Sequence, residues 1–81
     1  LAKARLLDRL RGHCNARQEK VLLRLFEAGP EGFTGGLSSG KYQSLTGTTP
    51  ATAGRDLAEL VALEALRRTG EKRGVRYWLN L

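Results

Sequence analysis

The chain has 81 residues, 41% of them hydrophobic, with a formal net charge of +6 and a sequence pI of about 10.3. That is enough for one small domain with a modest core, and the positive balance favours an acidic partner. No apolar run approaches the roughly 20 residues of a membrane helix, no secretory apolar segment is present, and the single cysteine, Cys14, excludes an internal disulfide, so a reducing cytoplasm is the expected setting.

Leu1–Arg11 places Leu6, Leu7 and Leu10 on one side of a short helix, with Lys3, Arg5, Arg9 and Arg11 around it and Gly12 at its end. Residues 1–14 read as a linker helix from a preceding domain, or as an extra helix packed on the core of a domain spanning 15–81. The chain has no methionine, even at its first position, and is expected to be a piece of a longer protein.

Asn15-Ala16-Arg17-Gln18 has the form of a capping box, a side-chain acceptor at the cap and a glutamine three residues on. The helix it starts is predicted to run to about Ala28, burying Val21, Leu22, Leu25 and Phe26, and Gly29-Pro30 stops it. A very short strand is expected around Phe33–Leu37. Ser38 or Ser39 then caps a helix over about Gly40–Leu45, with Tyr42 and Leu45 facing the core. Gly35 to Lys41 also satisfies the G-x-x-x-x-G-K of a nucleotide-binding loop. That chemistry wants Ser or Thr next, to hold Mg²⁺, and residue 42 is tyrosine. No hydrophobic strand of sufficient length precedes the motif, so it reads as a glycine-containing connection into a helix.

Thr46–Leu63 is the stretch around which the chain is organised. Thr46-Gly47-Thr48 reads as a turn, Gly47 being free to take a positive φ. Thr49 caps the next helix and Pro50 takes its first position, where no N–H is needed. Ala53, Leu57, Leu60 and Val61 share one side of that helix, whereas Thr52, Arg55, Asp56 and Glu59 are expected to lie away from it. A short helix before the turn makes a helix-turn-helix, whose second helix can enter a DNA major groove.

The last segment, Leu66–Leu79, reads as two strands around the basic turn Gly70–Gly74. Val75, Tyr77 and Leu79 alternate with Arg76, Trp78 and Asn80, the period of a half-buried strand. A hairpin directly after a helix-turn-helix is the wing of a winged helix. The expected fold is therefore α+β, a winged helix-turn-helix in the order α-α-β-α-α-β-β, with a small three-helix core and a C-terminal hairpin. The positive charge sits at the two ends. Residues 1–14 carry four basic and one acidic side chain, residues 15–65 five and six, and residues 66–81 five and one.

These residues together resemble the C-terminal winged-helix domain of bacterial Fic-family proteins (filamentation induced by cyclic AMP). The resemblance is carried by Asn15–Gln18 with Val21-Leu22 and Leu25, by Glu31-Gly32-Phe33 to Gly36-Leu37-Ser38, and by Lys41-Tyr42 with Ser44-Leu45-Thr46-Gly47. Ala51-Thr52-Ala53, Arg55-Asp56-Leu57 and Leu60 continue it, and Arg68-Thr69-Gly70 through Arg76-Tyr77 to Leu79-Asn80-Leu81 closes it. It spans about residues 15–81, and Lys3–Asp8 resembles the segment leading in from the catalytic domain. The resemblance implies a parent whose Fic domain transfers AMP from ATP to a protein hydroxyl through a His-Pro-Phe-x-x-Gly-Asn-Gly-Arg type motif. Here His13 is the one histidine and Cys14 follows it, so that catalysis is not expected in this chain. Glu64-Ala65 stands where the family has a glycine-containing turn, which predicts a longer central helix.

The leading functional expectation is a DNA-binding module. Arg55 with Thr48, Thr49 and Thr52 approaches the groove; Lys72, Arg73 and Arg76 hold phosphate through the wing, and Lys41 adds a backbone contact. Ala51 and Gly54 are short for a base-reading helix, and Asp56 and Glu59 set against Arg55 predict poor sequence discrimination. The alternative is an interaction domain that pairs with itself or docks on an upstream Fic domain as a regulator, with Leu6, Leu7, Leu10 and Trp78 as contacts. An enzyme in its own right is disfavoured, because one His, one Cys and no clustered carboxylates supply neither a nucleophile–base pair nor a metal set. No cofactor and no membrane partner are expected.

Overall fold

A computed structural model describes residues 12–28 and 35–80, with Asp8 and Leu10 before them. The expected Leu6 and Leu7 stripe, the Gly29-Pro30 stop and the residues of the expected strand before Gly35 lie outside the described residues.

Among the described residues, and after Asp8 and Leu10, which are also helical, three helices are followed by a hairpin: α1 (Ala16–Glu27), α2 (Ser39–Thr46), α3 (Pro50–Ala62), β1 (Leu66–Thr69), a 3₁₀ turn (Lys72–Gly74) and β2 (Arg76–Leu79). This is a small α+β fold with a two-stranded antiparallel hairpin at its C-terminal end. Isolated helices this short are marginal in water, so caps and tertiary packing must hold them. Each helix has a side-chain cap. Asn15 and Gln18 form the full capping box of α1, Ser38 accepts from the Lys41 amide, and Thr49 accepts from the Thr52 amide, with Pro50 as the first residue of α3. Gly47 closes α2 at φ 67°, donating its N–H to the Gln43 carbonyl at 2.7 Å. A residue with a Cβ would be strained there, so the tight turn into α3 depends on glycine.

The core gathers Val21, Leu22 and Leu25 of α1, Tyr42 of α2, Ala53, Leu57 and Leu60 of α3, and Leu66 and Leu79 from the base of the hairpin. Each such leucine contributes about 1.5–3 kcal/mol by leaving water. Leu10 is in the same core at 4% exposure, which removes it as an outward contact for a partner. Val61, Leu45 and Phe26 are partly buried against the core.

The hairpin register pairs Leu66 with Leu79, Arg67 with Trp78, Arg68 with Tyr77 and Thr69 with Arg76. Leu66 and Leu79 point inward, and Trp78 lies on the opposite face. Of the expected first strand, the described residues show one bridge. Leu37 and Tyr77 exchange both backbone hydrogen bonds, at 2.9 and 2.8 Å, and α2 begins two residues later. Buried Leu37 thereby ties the loop to β2.

The expected lengthening of α3 does not occur. The helix ends at Ala62, and Glu64 takes the left-handed conformation itself, at φ 62°. The Glu64 amide donates to Val61 O at 3.0 Å and the Ala65 amide to Leu60 O at 2.9 Å, a Schellman closure made without glycine. Asn80 then bonds back to the carbonyls of Glu64 and Ala65, fixing β2 to the end of α3.

Candidate nucleic-acid interface

At the start of α3 the Thr49 hydroxyl oxygen accepts from the Thr52 amide at 3.2 Å and donates to the Thr52 hydroxyl at 3.1 Å. Thr48 and Thr52 are half-buried, and Thr49 and Arg55 are exposed. No acidic side chain lies in the first turn, so the positive end of the helix dipole is not offset there.

The structure corrects the placement of Asp56. It is not on the outer side of α3 but buried, at 2% exposure. Arg17 grips its carboxylate with Nε to Oδ2 at 2.7 Å and an Nη2 to Oδ1 at 3.2 Å. The Tyr42 hydroxyl donates to Oδ2 at 2.7 Å and the Asn15 amide to Oδ1 at 3.1 Å. Gln18 spans the same junction, donating through Nε2 to the Asp56 carbonyl and to Glu59 Oε2, both at 3.0 Å. All three helices therefore meet at one carboxylate. The Arg17 hydrogen bonds hold the Asp56 carboxyl below the usual carboxylate range despite its burial, and burial followed by the Asp56 hydrogen bond pushes the Tyr42 phenol up. A buried charge so fully bonded is consistent with a structural role.

The consequence for the surface is electrostatic. The negative charge that seemed to oppose Arg55 is spent inside the protein on Arg17. Of the acids on α3, Glu59 remains exposed and is bonded by Gln18.

The hairpin carries the second group of cations. Lys72 is exposed and holds φ 52° in the 3₁₀ turn. Arg73 contributes its backbone to that turn, and its side chain lies outside the described residues. Arg76 donates to the Val75 carbonyl at 2.8 Å. On the outer face the Trp78 indole N–H donates to Thr69 Oγ1 at 2.8 Å, and the Arg67 guanidinium sits 5.8 Å from the ring centroid.

Lys72 and Arg76 line an open cleft of about 420 Å³, together with Arg68, Val75, Tyr77, the cap residue Ser38 and the first residues of α2, Ser39 and Gly40. Lys41, the next residue, is exposed. The sequence-predicted residues thus fall into two groups: Thr49 and Thr52 in contact at the head of α3, and Lys72 and Arg76 around the head of α2. Arg68 was missed, as were Arg17, Tyr42 and Asp56. The strand period carried a signal for Arg68, since it is two residues from buried Leu66 and shares its face of β1.

The glycine-lysine motif at Gly35–Lys41 is a connection that bridges Leu37 to Tyr77 and then enters α2. Cys14 is half-buried, and burial raises its thiol pKa, which favours the protonated thiol over the thiolate. Among the described residues no cluster of His, Cys, Asp and Glu could hold a metal, and no helix is long and apolar enough to cross a membrane.

Compared with protein-family models and with curated proteins, the chain finds no match.

Proposed function

We propose that the chain is a non-catalytic winged-helix module that binds duplex DNA, with α3 as the groove helix and the β1–β2 hairpin as the wing. The observation that carries this reading is the inward turn of Asp56, held by Arg17 and Tyr42. It leaves Thr48, Thr49, Thr52 and Arg55 as the polar residues at the head of α3, with no acid among them. Threonine hydroxyls and an arginine fork are groups that bond phosphates and base edges. Lys72, Arg73 and Arg76 supply the sequence-independent charge along the backbone, and Lys41 extends it.

Ala51 and Gly54 are both exposed on α3. Short residues there permit close approach but read few bases, so affinity comes mainly from phosphates and depends steeply on salt. The resemblance to Fic-family C-terminal domains supports a parent protein with an AMP-transferring domain, for which this module serves as the nucleic-acid-binding part. Fluorescence anisotropy with a labelled mixed-sequence duplex at low salt tests the reading. Saturable binding at tens of micromolar or tighter, weakening as salt rises, is expected; affinity no better than millimolar contradicts it.

A further inference from the structure

Gln18 is a polar side chain at 1% exposure with both of its polar atoms engaged. Its Oε1 accepts from the Asn15 backbone N–H at 2.8 Å, closing the cap of α1. Its Nε2 donates to the Asp56 carbonyl and to Glu59 Oε2, both at 3.0 Å. The amide cannot turn over. The Asn15 N–H needs an acceptor and the Asp56 carbonyl needs a donor, so one orientation alone satisfies both. The second hydrogen of Nε2 is thereby aimed at Glu59.

Glu59 is the partner that helix geometry offers to Arg55. The two are four residues apart on α3, the spacing at which opposite charges on a helix pair, and both are exposed. Among the described residues, however, the Arg55 guanidinium has no ion pair and no hydrogen bond, and Glu59 reaches across to α1 instead.

We propose that Gln18 is a positioning residue for duplex binding: it holds the Glu59 carboxylate against α1 and so leaves the Arg55 guanidinium unpaired for phosphate or base. The inference rests on α3 being the groove helix. Without that hold Glu59 turns to Arg55, and the duplex must compete with an intramolecular carboxylate for the same fork. Gln18 itself is buried between α1 and α3 and acts through its neighbour.

The test is a double-mutant cycle in the duplex titration at low salt, with the fold of each variant followed by its amide NMR spectrum. Gln18→Met keeps a side chain of similar length and removes both Nε2 hydrogens. It is expected to weaken binding about two- to threefold, the competition that an i, i+4 ion pair of ordinary strength imposes. In a Glu59→Ala background the same substitution should leave affinity unchanged, because no carboxylate remains to capture Arg55. An equal loss in both backgrounds, or no loss in a folded Gln18→Met chain, overturns the proposal and leaves the duplex reading intact. A wild-type chain that binds no duplex overturns both. Where Gln18→Met does not fold, Glu59→Ala, on an exposed side chain, decides alone. The Arg55 Nε–H resonance of the unbound chain should stay at its wild-type position; a marked shift would place Glu59 on Arg55 already and overturn the proposal.

Discussion

Tyr42 and Asp56, 14 residues apart, meet between α2 and α3, the phenol donating to Oδ2 at 2.7 Å. Arg17 reaches the same carboxylate from α1, so this contact orients the two helices of the proposed reading unit against the third. Removing the carboxylate leaves the buried Tyr42 hydroxyl and the Asn15 amide without their acceptor. Asp56→Ala is expected to lower stability by about 2–4 kcal/mol, and Tyr42→Phe, which leaves Arg17 and Asn15 in place, by about 1 kcal/mol. Urea unfolding measures both. An Asp56→Ala loss under about 0.5 kcal/mol, the size of an ordinary surface substitution, would show that the network does not hold the helices.

The same pair sets the pH range of the fold. Asp56 has a folded pKa below its unfolded value, so its stabilisation is complete above that unfolded value, near about 4, and is lost as pH falls through the folded value. Tyr42 has a folded pKa above its unfolded value, so its contribution is complete below about pH 10 and is lost as pH rises beyond it. Stability followed by urea midpoint should fall at both ends. Asp56→Asn should flatten the acid limb, and an acid limb as steep as the wild type's would mean that other carboxylates set it.

Two glycines should respond oppositely to alanine. Gly70 sits at φ 80°, and a Cβ there would lie 2.2 Å from the Gly74 carbonyl oxygen, so the hairpin must open to accept it. Gly70→Ala is expected to destabilise by about 1–3 kcal/mol. Gly54 is exposed inside α3 with nothing within 4 Å of the Cβ position, and Gly54→Ala should stabilise by about 0.5–1 kcal/mol through helix propensity. Thermal unfolding of the two variants beside the wild type checks the signs.

The helices were legible because their caps are local chemistry. Asn15 with Gln18, Ser38, and Thr49 with Pro50 announce their starts, and Ala53, Leu57 and Leu60 declare a buried face. Asp56 was misread because polarity was weighed above position. Ala53, Asp56, Leu57 and Leu60 follow the i, i+3, i+4, i+7 spacing of one face, and the acid belongs to it. Its partners, Arg17 and Tyr42, come from other helices, and such pairing leaves no trace in periodicity. Glu64 shows tertiary demand overriding local preference. The hairpin must return to the end of α3, and that requirement outweighs the roughly 1–2 kcal/mol cost of a left-handed non-glycine residue. The cleft was out of reach because Arg68 and Ser39, far apart in sequence, are brought together by tertiary packing, to which the Leu37–Tyr77 bridge belongs.

The most direct test of the central claim compares charge reversals in one duplex-binding titration at fixed low salt. Arg55→Glu on α3 and Lys72→Glu on the hairpin are set against Arg24→Glu, an exposed arginine on α1 that makes the same change in net charge. The account predicts that the first two each weaken binding about tenfold or more while Arg24→Glu costs no more than about twofold, because phosphate contacts are local and long-range attraction is screened. Equal losses from all three would contradict it, leaving a basic chain attracted to a polyanion by charge alone.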